Sequence, residues 1–234
     1  MSVEFEIKYK PSYSMLVVKL KSGESISAEA GAMTYMTPTI HAETRTRERG
    51  IIDSLGLAIL GRQSLFVNDY TARDRPGEIG LVSAAIGDIE VLKVTPETGY
   101  IIQKSSYIAS TKNVDLDIQW QGFTKGLFGQ GLFMIKVTGR GDLFINTFGA
   151  IDRHKLGPGE QLVVDNFHLV AFTDTCNYRV AKFGGLRDTL LGGEGLVTEI
   201  AGPGEVLIQT KNIREFVEML WPFIQPRIAG SAAR

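Results

Sequence analysis

The chain has 234 residues, 44% of them hydrophobic and 22% charged, and a formal net charge of -1. That balance fits a globular body with a full core and speaks against nucleic acid as a general partner, which would call for a basic excess. The single cysteine, Cys176, excludes an internal disulfide framework, and no apolar run has the length of a membrane-spanning helix. The N-terminus shows no basic segment followed by an apolar one, as a secretory signal would. With one cysteine as well, the expected compartment is the cytoplasm.

In chain order, Phe5, Ile7 and Tyr9 alternate with Glu6, Lys8 and Lys10, the period of a half-buried strand. Pro11-Ser12 ends it, and Met15 to Leu20 reads as a second strand. From Gly23 onward the chain repeats itself with a period of roughly sixty to seventy residues, longer than the usual solenoid unit. Gly23-Glu24-Ser25-Ile26 returns as Gly159-Glu160-Gln161-Leu162, with Glu97-Thr98-Gly99-Tyr100 between them. Tight turns recur at Arg75-Pro76-Gly77, Gly139-Arg140-Gly141 and Gly202-Pro203-Gly204. The repeats run over about 23–95, 96–158 and 159–211 of one domain, 1–234. Ile213, Phe216, Val217, Leu220 and Trp221 then recur at helical spacing, behind an N-cap at Asn212 with Glu215 three residues on. Pro222 marks the end of this helix, 212–222.

The order of these motifs, and above all the blocks Gly193-Glu194-Gly195-Leu196 and Gly202-Pro203-Gly204-Glu205-Val206-Leu207-Ile208-Gln209-Thr210, resembles the altered-inheritance-of-mitochondria family. The resemblance covers about Val3 to Leu220. It implies an all-β, mainly antiparallel body of three attenuator-like repeats, a β-sandwich or double-stranded β-helix-like arrangement, together with homo-oligomerisation and no established activity. No residue matches the ligand or RNA positions of the tryptophan-RNA-binding attenuator, so neither is carried over.

Chemistry is sparse. His41, His154 and His168 stand at no metal-ligand spacing, and His168 with Asp165, three apart on a strand, would face opposite sides. Cys176 lies outside any nucleophile motif and reads as a small buried residue. Gly126-Leu127-Phe128-Gly129-Gln130-Gly131 lacks the Gly-Lys-Ser/Thr end of a phosphate loop. Arg140-Gly141-Asp142 occupies the repeat's turn and is read as that. No catalytic, cofactor-binding or metal residue is assigned, and no cofactor is expected. Arg45, Arg47 and Arg49 make one strand face basic.

Three glycine-punctuated apolar segments stand at matching places, carrying Leu57 and Leu60, then Leu127 and Phe128, then Leu190 and Leu191. Grouped on one face, they would meet a subunit, another protein or a membrane surface. The expected function is therefore a non-enzymatic oligomeric scaffold or binding module. The alternatives are a small-ligand or metal-dependent enzyme of the double-stranded β-helix kind, and attenuator-like RNA binding.

Overall fold

The computed structural model describes residues 3–46, 66–120, 133–182 and 196–231. The chain opens with β1 (Glu4–Lys8) and β2 (Met15–Leu20). There follow β3 (Ser25–Glu29), β4 (Met33–Met36), β5 (Ile40–Thr46), β6 (Phe66–Ala72) and β7 (Gly77–Leu81). The middle holds β8 (Ile89–Val94), β9 (Tyr100–Gln103), β10 (Tyr107–Thr111), β11 (Val114–Trp120), β12 (Phe133–Gly139) and β13 (Gly141–Asn146). The last strands are β14 (Ile151–Leu156), β15 (Gln161–Asp165), β16 (Leu169–Thr173), β17 (Asn177–Lys182), β18 (Leu196–Ala201) and β19 (Gly204–Gln209), before helix α1 (Ile213–Ser231).

These strands form open sheets of order β1-β2-β7-β4, β5-β6-β3-β10-β13-β8, β11-β12-β9-β16-β19-β14 and β15-β18-β17, with antiparallel ladders and no closed barrel among the described residues. Pairings recur along the chain: β2–β7–β4, β8–β13–β10 and β14–β19–β16 have one pattern, and β3–β6–β5, β9–β12–β11 and β15–β18–β17 another. Each six-stranded sheet joins one trio of each kind, through β3–β10 in one and β9–β16 in the other.

Why these residues take these positions is clearest at the glycine turns. Thr37, Thr111 and Thr173 each accept, through Oγ1, a hydrogen bond from the backbone N–H of Glu78, Asp142 and Glu205, at 3.1, 3.0 and 3.0 Å. The residue just before each of those donors is Gly77, Gly141 or Gly204, and a Cβ there would collide with the same threonine Oγ1. The recurrent Gly-acid pair, Arg140-Gly141-Asp142 included, is thus fixed by a close approach of two strands. A bulge also recurs, between Met33 and Tyr35, Tyr107 and Ala109, and Leu169 and Ala171.

Three apolar clusters fill the space between sheets. Leu16, Val18, Ile26, Tyr70, Ile79 and Phe144 belong to the first, with Phe5 edge-on to Phe144 at 4.9 Å. Ile102, Tyr107, Ile135, Leu143 and Leu207 belong to the second. Leu169, Phe172, Ile200 and Val206 belong to the third, where Tyr178 packs on Phe172 at 4.8 Å. Each fully buried Leu, Ile or Phe side chain of this kind stabilises by about 1.5–3 kcal/mol.

Helix α1 departs from the expected end at Pro222 and runs on through Pro222 and Pro226 to Ser231. Pro222 has no N–H to give the carbonyl of Glu218, and Glu218 stands on an exposed stretch of the helix. The strand expected to reach Arg49 is described only to Thr46.

Candidate interaction surface

The start of α1 is held firmly. Asn212 is buried and its Oδ1 accepts from the N–H of Glu215 at 2.8 Å, the N-cap bond anticipated from the sequence. Its amide Nδ2 donates to His168 Nε2 at 2.9 Å, while His168 Nδ1 donates to the Gln209 carbonyl at 2.7 Å. A carbonyl can only accept, so Nδ1 carries the proton and the ring is a neutral strut between β19 and the cap. His168 and Asp165 do not share a strand: Asp165 ends β15, and the His168 N–H closes a turn on its carbonyl at 2.9 Å. Phe216 packs edge-on to Phe148 at 5.4 Å, and the Arg214 guanidinium lies 5.7 Å from the Phe167 ring centre.

Beyond that anchor almost every residue from Val217 to Gln225 is exposed. Ile213, Val217, Trp221 and Ile224 are exposed along one side, and Met219 is exposed on the opposite one. Trp221 is 49% exposed and Phe223 73%. Sequence periodicity identified Ile213, Val217 and Trp221 as one face but not that the face is bare. The extension past Pro222, which adds Phe223 and Ile224, was hidden by the proline.

A second bare region lies on two strand edges. Among the described residues β4 is paired only to β7 and β15 only to β18. Met33, Tyr35 and Met36 of β4 and Val163 of β15 are exposed. The Tyr35 ring lies over Gly80, where a Cβ would collide with it, and its hydroxyl donates to Glu78 at 2.8 Å, which raises the phenol's pKa.

The remaining residues read from the sequence are placed as follows. Arg45 stands on β5 opposite Val67. Arg47, Arg49, Leu57, Leu60, Leu127, Phe128, Leu190 and Leu191 lie outside the described residues. His41 is exposed on β5, and His154 on β14 approaches Asp152 Oδ2 at 3.1 Å through Nε2. Cys176 is buried, with Sγ 3.7 Å from the Pro203 carbonyl. Among the described residues no group of three or more His, Cys, Asp or Glu is placed to hold a metal ion. None of the described helices is long and apolar enough to cross a membrane.

Among the described residues one carboxylate is perturbed. Burial pushes Glu29, at the end of β3, from 4.5 up to about 7, with Lys104 pulling the other way. Burial likewise lowers the Lys104 ammonium, which Glu29 opposes. Lys104 begins the 3-10 turn Lys104–Ser106 between β9 and β10, so the pair sits beside the β3–β10 ladder.

The family model described as mitochondrial biogenesis AIM24 matches residues 5–211. The uncharacterized protein M6_Spy0233 of Streptococcus pyogenes serotype M6 is 26% identical over 225 residues, spanning 93% of this chain and 90% of its own length. The X-ray structure of protein SPYM3_0169 from Streptococcus pyogenes aligns with a TM-score of 0.78 at 24% identity, covering 94% of this chain and 99% of its own, a likeness of fold.

Proposed function

This chain belongs to the mitochondrial biogenesis AIM24 family, and on that premise we propose that it is a non-enzymatic, oligomeric binding module that presents α1 to an apolar partner surface. The observation that carries the reading is the exposure of Trp221 with Ile213, Val217 and Ile224 along one side of a helix whose anchoring contacts, among the described residues, lie in its first turn. A contiguous apolar patch on water is costly unless it is covered in use. A helix presenting anchors three and four residues apart is a standard way to enter a groove or lie at an interface. Several copies in an oligomer would add weak contacts into useful avidity. The module would work in a reducing compartment such as the cytoplasm, its one cysteine remaining a buried thiol.

The test joins sedimentation velocity to vesicle flotation, comparing the native chain with the double variant W221E/F223E. Both positions are exposed, so the far-ultraviolet spectrum of the β body should be retained. The expected outcome is an assembled native protein whose binding to neutral or anionic vesicles, or whose assembly, falls at least tenfold in the variant. A variant indistinguishable from native in both assays overturns the reading.

A further inference from the structure

The two inner ladders β3–β10 and β9–β16 are the same junction made twice. In the first, Ala28 faces Ala109, Ser27 faces Ser110 and Ile26 faces Thr111. In the second, Ile102 faces Ala171, Ile101 faces Phe172 and Tyr100 faces Thr173. The threonine that closes each register, Thr111 or Thr173, is the one that caps the glycine turn, and its counterpart is Thr37 just after β4. On the other side, the counterpart of Ile26 and Tyr100 is Leu162 of β15, because each faces the matching residue of its hairpin partner, Tyr70, Val137 and Ile200. A third junction, β15 with β4, is therefore specified residue by residue, yet within the chain these strands lie in different sheets.

Two independent observations set these edges apart. The first is burial. All residues of β10 and β16 are buried, whereas those of β4, at the same place in the pattern, are all exposed. Met36 is 37% exposed and Val163 56%, while Ser110, Phe172, Ser27 and Ile101 at matching positions are buried. The second is charge. Edge strands are normally protected by charged side chains. Here β1, β5, β8, β11, β14 and β17 each carry at least two, such as Glu90 and Lys93 on β8 or Asp115 and Asp117 on β11. β4 carries none, and β15 carries only its last residue, Asp165, where β3 has Glu29. In composition both resemble inner strands.

We infer that β15 of one copy pairs antiparallel with β4 of a second copy, completing between chains the junction made twice within each. Resting on the oligomeric reading above, the inference fixes its geometry: Val164 faces Tyr35, Val163 faces Met36 and Leu162 faces Thr37. The Val163–Met36 contact is an apolar cross-strand pair like Ile101–Phe172. The contact is head-to-tail, so one copy's β4 and the other's β15 stay free, and assembly proceeds until a ring closes or a filament grows.

The experiment co-expresses full-length M36C and V163C chains with different tags, each carrying C176A, and treats them with a short bis-maleimide. Covalent dimers holding both tags, with neither variant cross-linking when expressed alone, are the expected result. A dimer from M36C alone or from V163C alone means like edges meet, and overturns the inference. So does a link within one chain of the M36C/V163C double variant, which would show closure inside the monomer. An oligomer by sedimentation velocity with no cross-link overturns this junction while leaving the oligomeric reading intact; a monomer overturns both. The variant V163K, with a charge placed on the bare edge, should weaken assembly at least tenfold without altering the β spectrum, and unaltered assembly counts against the junction.

Discussion

The glycine turns and helix α1 are opposite solutions to the same chain. At the turn before β19, Gly204 is hemmed in by Thr173 and Cys176, and a backbone donor, a hydroxyl and a thiol all depend on its lack of a side chain. Along α1 beyond Phe216, large apolar side chains have water for a neighbour. The turn is over-determined by its own sequence, so almost any change should register as lost stability. The helix is under-determined, so changes there should register in what it binds. Sequence conspicuousness does not separate the two: the Gly-Pro-Gly motif and the Trp221 periodicity are equally visible, and only the surroundings show which one builds and which one meets a partner.

The largest effect should come from breaking the turn. Gly204→Ala places a methyl against the Thr173 hydroxyl and the Cys176 sulfur, and a loss of about 2–4 kcal/mol is expected by urea unfolding. If the midpoint hardly moves, the turn is not the constraint described.

A smaller, pH-dependent effect belongs to Glu29. Its carboxyl is held up near 7 in the folded chain against 4.5 ordinarily, so the folded state holds the proton more tightly than the unfolded one. The associated stability is fully present below about 4.5 and is lost as pH rises through about 7. Glu29→Gln should remove that slope and leave the variant more stable at pH 8, by on the order of 1 kcal/mol after allowing for the carboxyl's partial exposure. Thermal midpoints of both proteins at pH 5 and pH 8 decide it, and parallel pH profiles would refute it.

The smallest effect tests the other side of the comparison. Asn212→Ala removes the N-cap and the donor to His168, at a cost of about 1 kcal/mol. Amide hydrogen exchange should quicken in α1 and stay unchanged in β9 and β16. Equal quickening in both would mean that the helix is as integral to the body as the turns are.

Much of this architecture is legible in the residues themselves. Phe5 and Ile7 are partly buried while Glu4 and Glu6 are exposed, as their alternation requires, but Tyr9, expected to continue it, lies past the end of β1 and is exposed at φ 62°; the proline and glycine turns fall between strands. The Asn212 cap is equally plain, because its signal is local. What escapes is what depends on distant partners. Nothing near Ala109 announces Ala28, some eighty residues earlier, as its neighbour, since any apolar strand would satisfy the same local pattern. Pro222 misleads for a related reason: its missing N–H usually ends a helix, yet α1 continues through it along an exposed stretch where that loss is least costly. The His168–Asp165 spacing misleads because a turn closes between the two residues, and strand alternation does not run through a turn. Of the candidate surface, periodicity reveals the face of α1, whereas the bareness of β4 emerges only beside β10 and β16.

The shared six-stranded sheets carry one more consequence. Because each takes three strands from one stretch of the chain and three from the next, no stretch is a self-contained brick. A fragment cut after β8 would keep β5-β6-β3 with a raw edge and lose β13, the neighbour of β8; a fragment beginning at β9 would lose the strand on which β13 is zipped. The three-part pattern therefore describes how the chain is written and not how it can be divided: cut, shuffled or transplanted by thirds, it loses the sheets that make each third a structure.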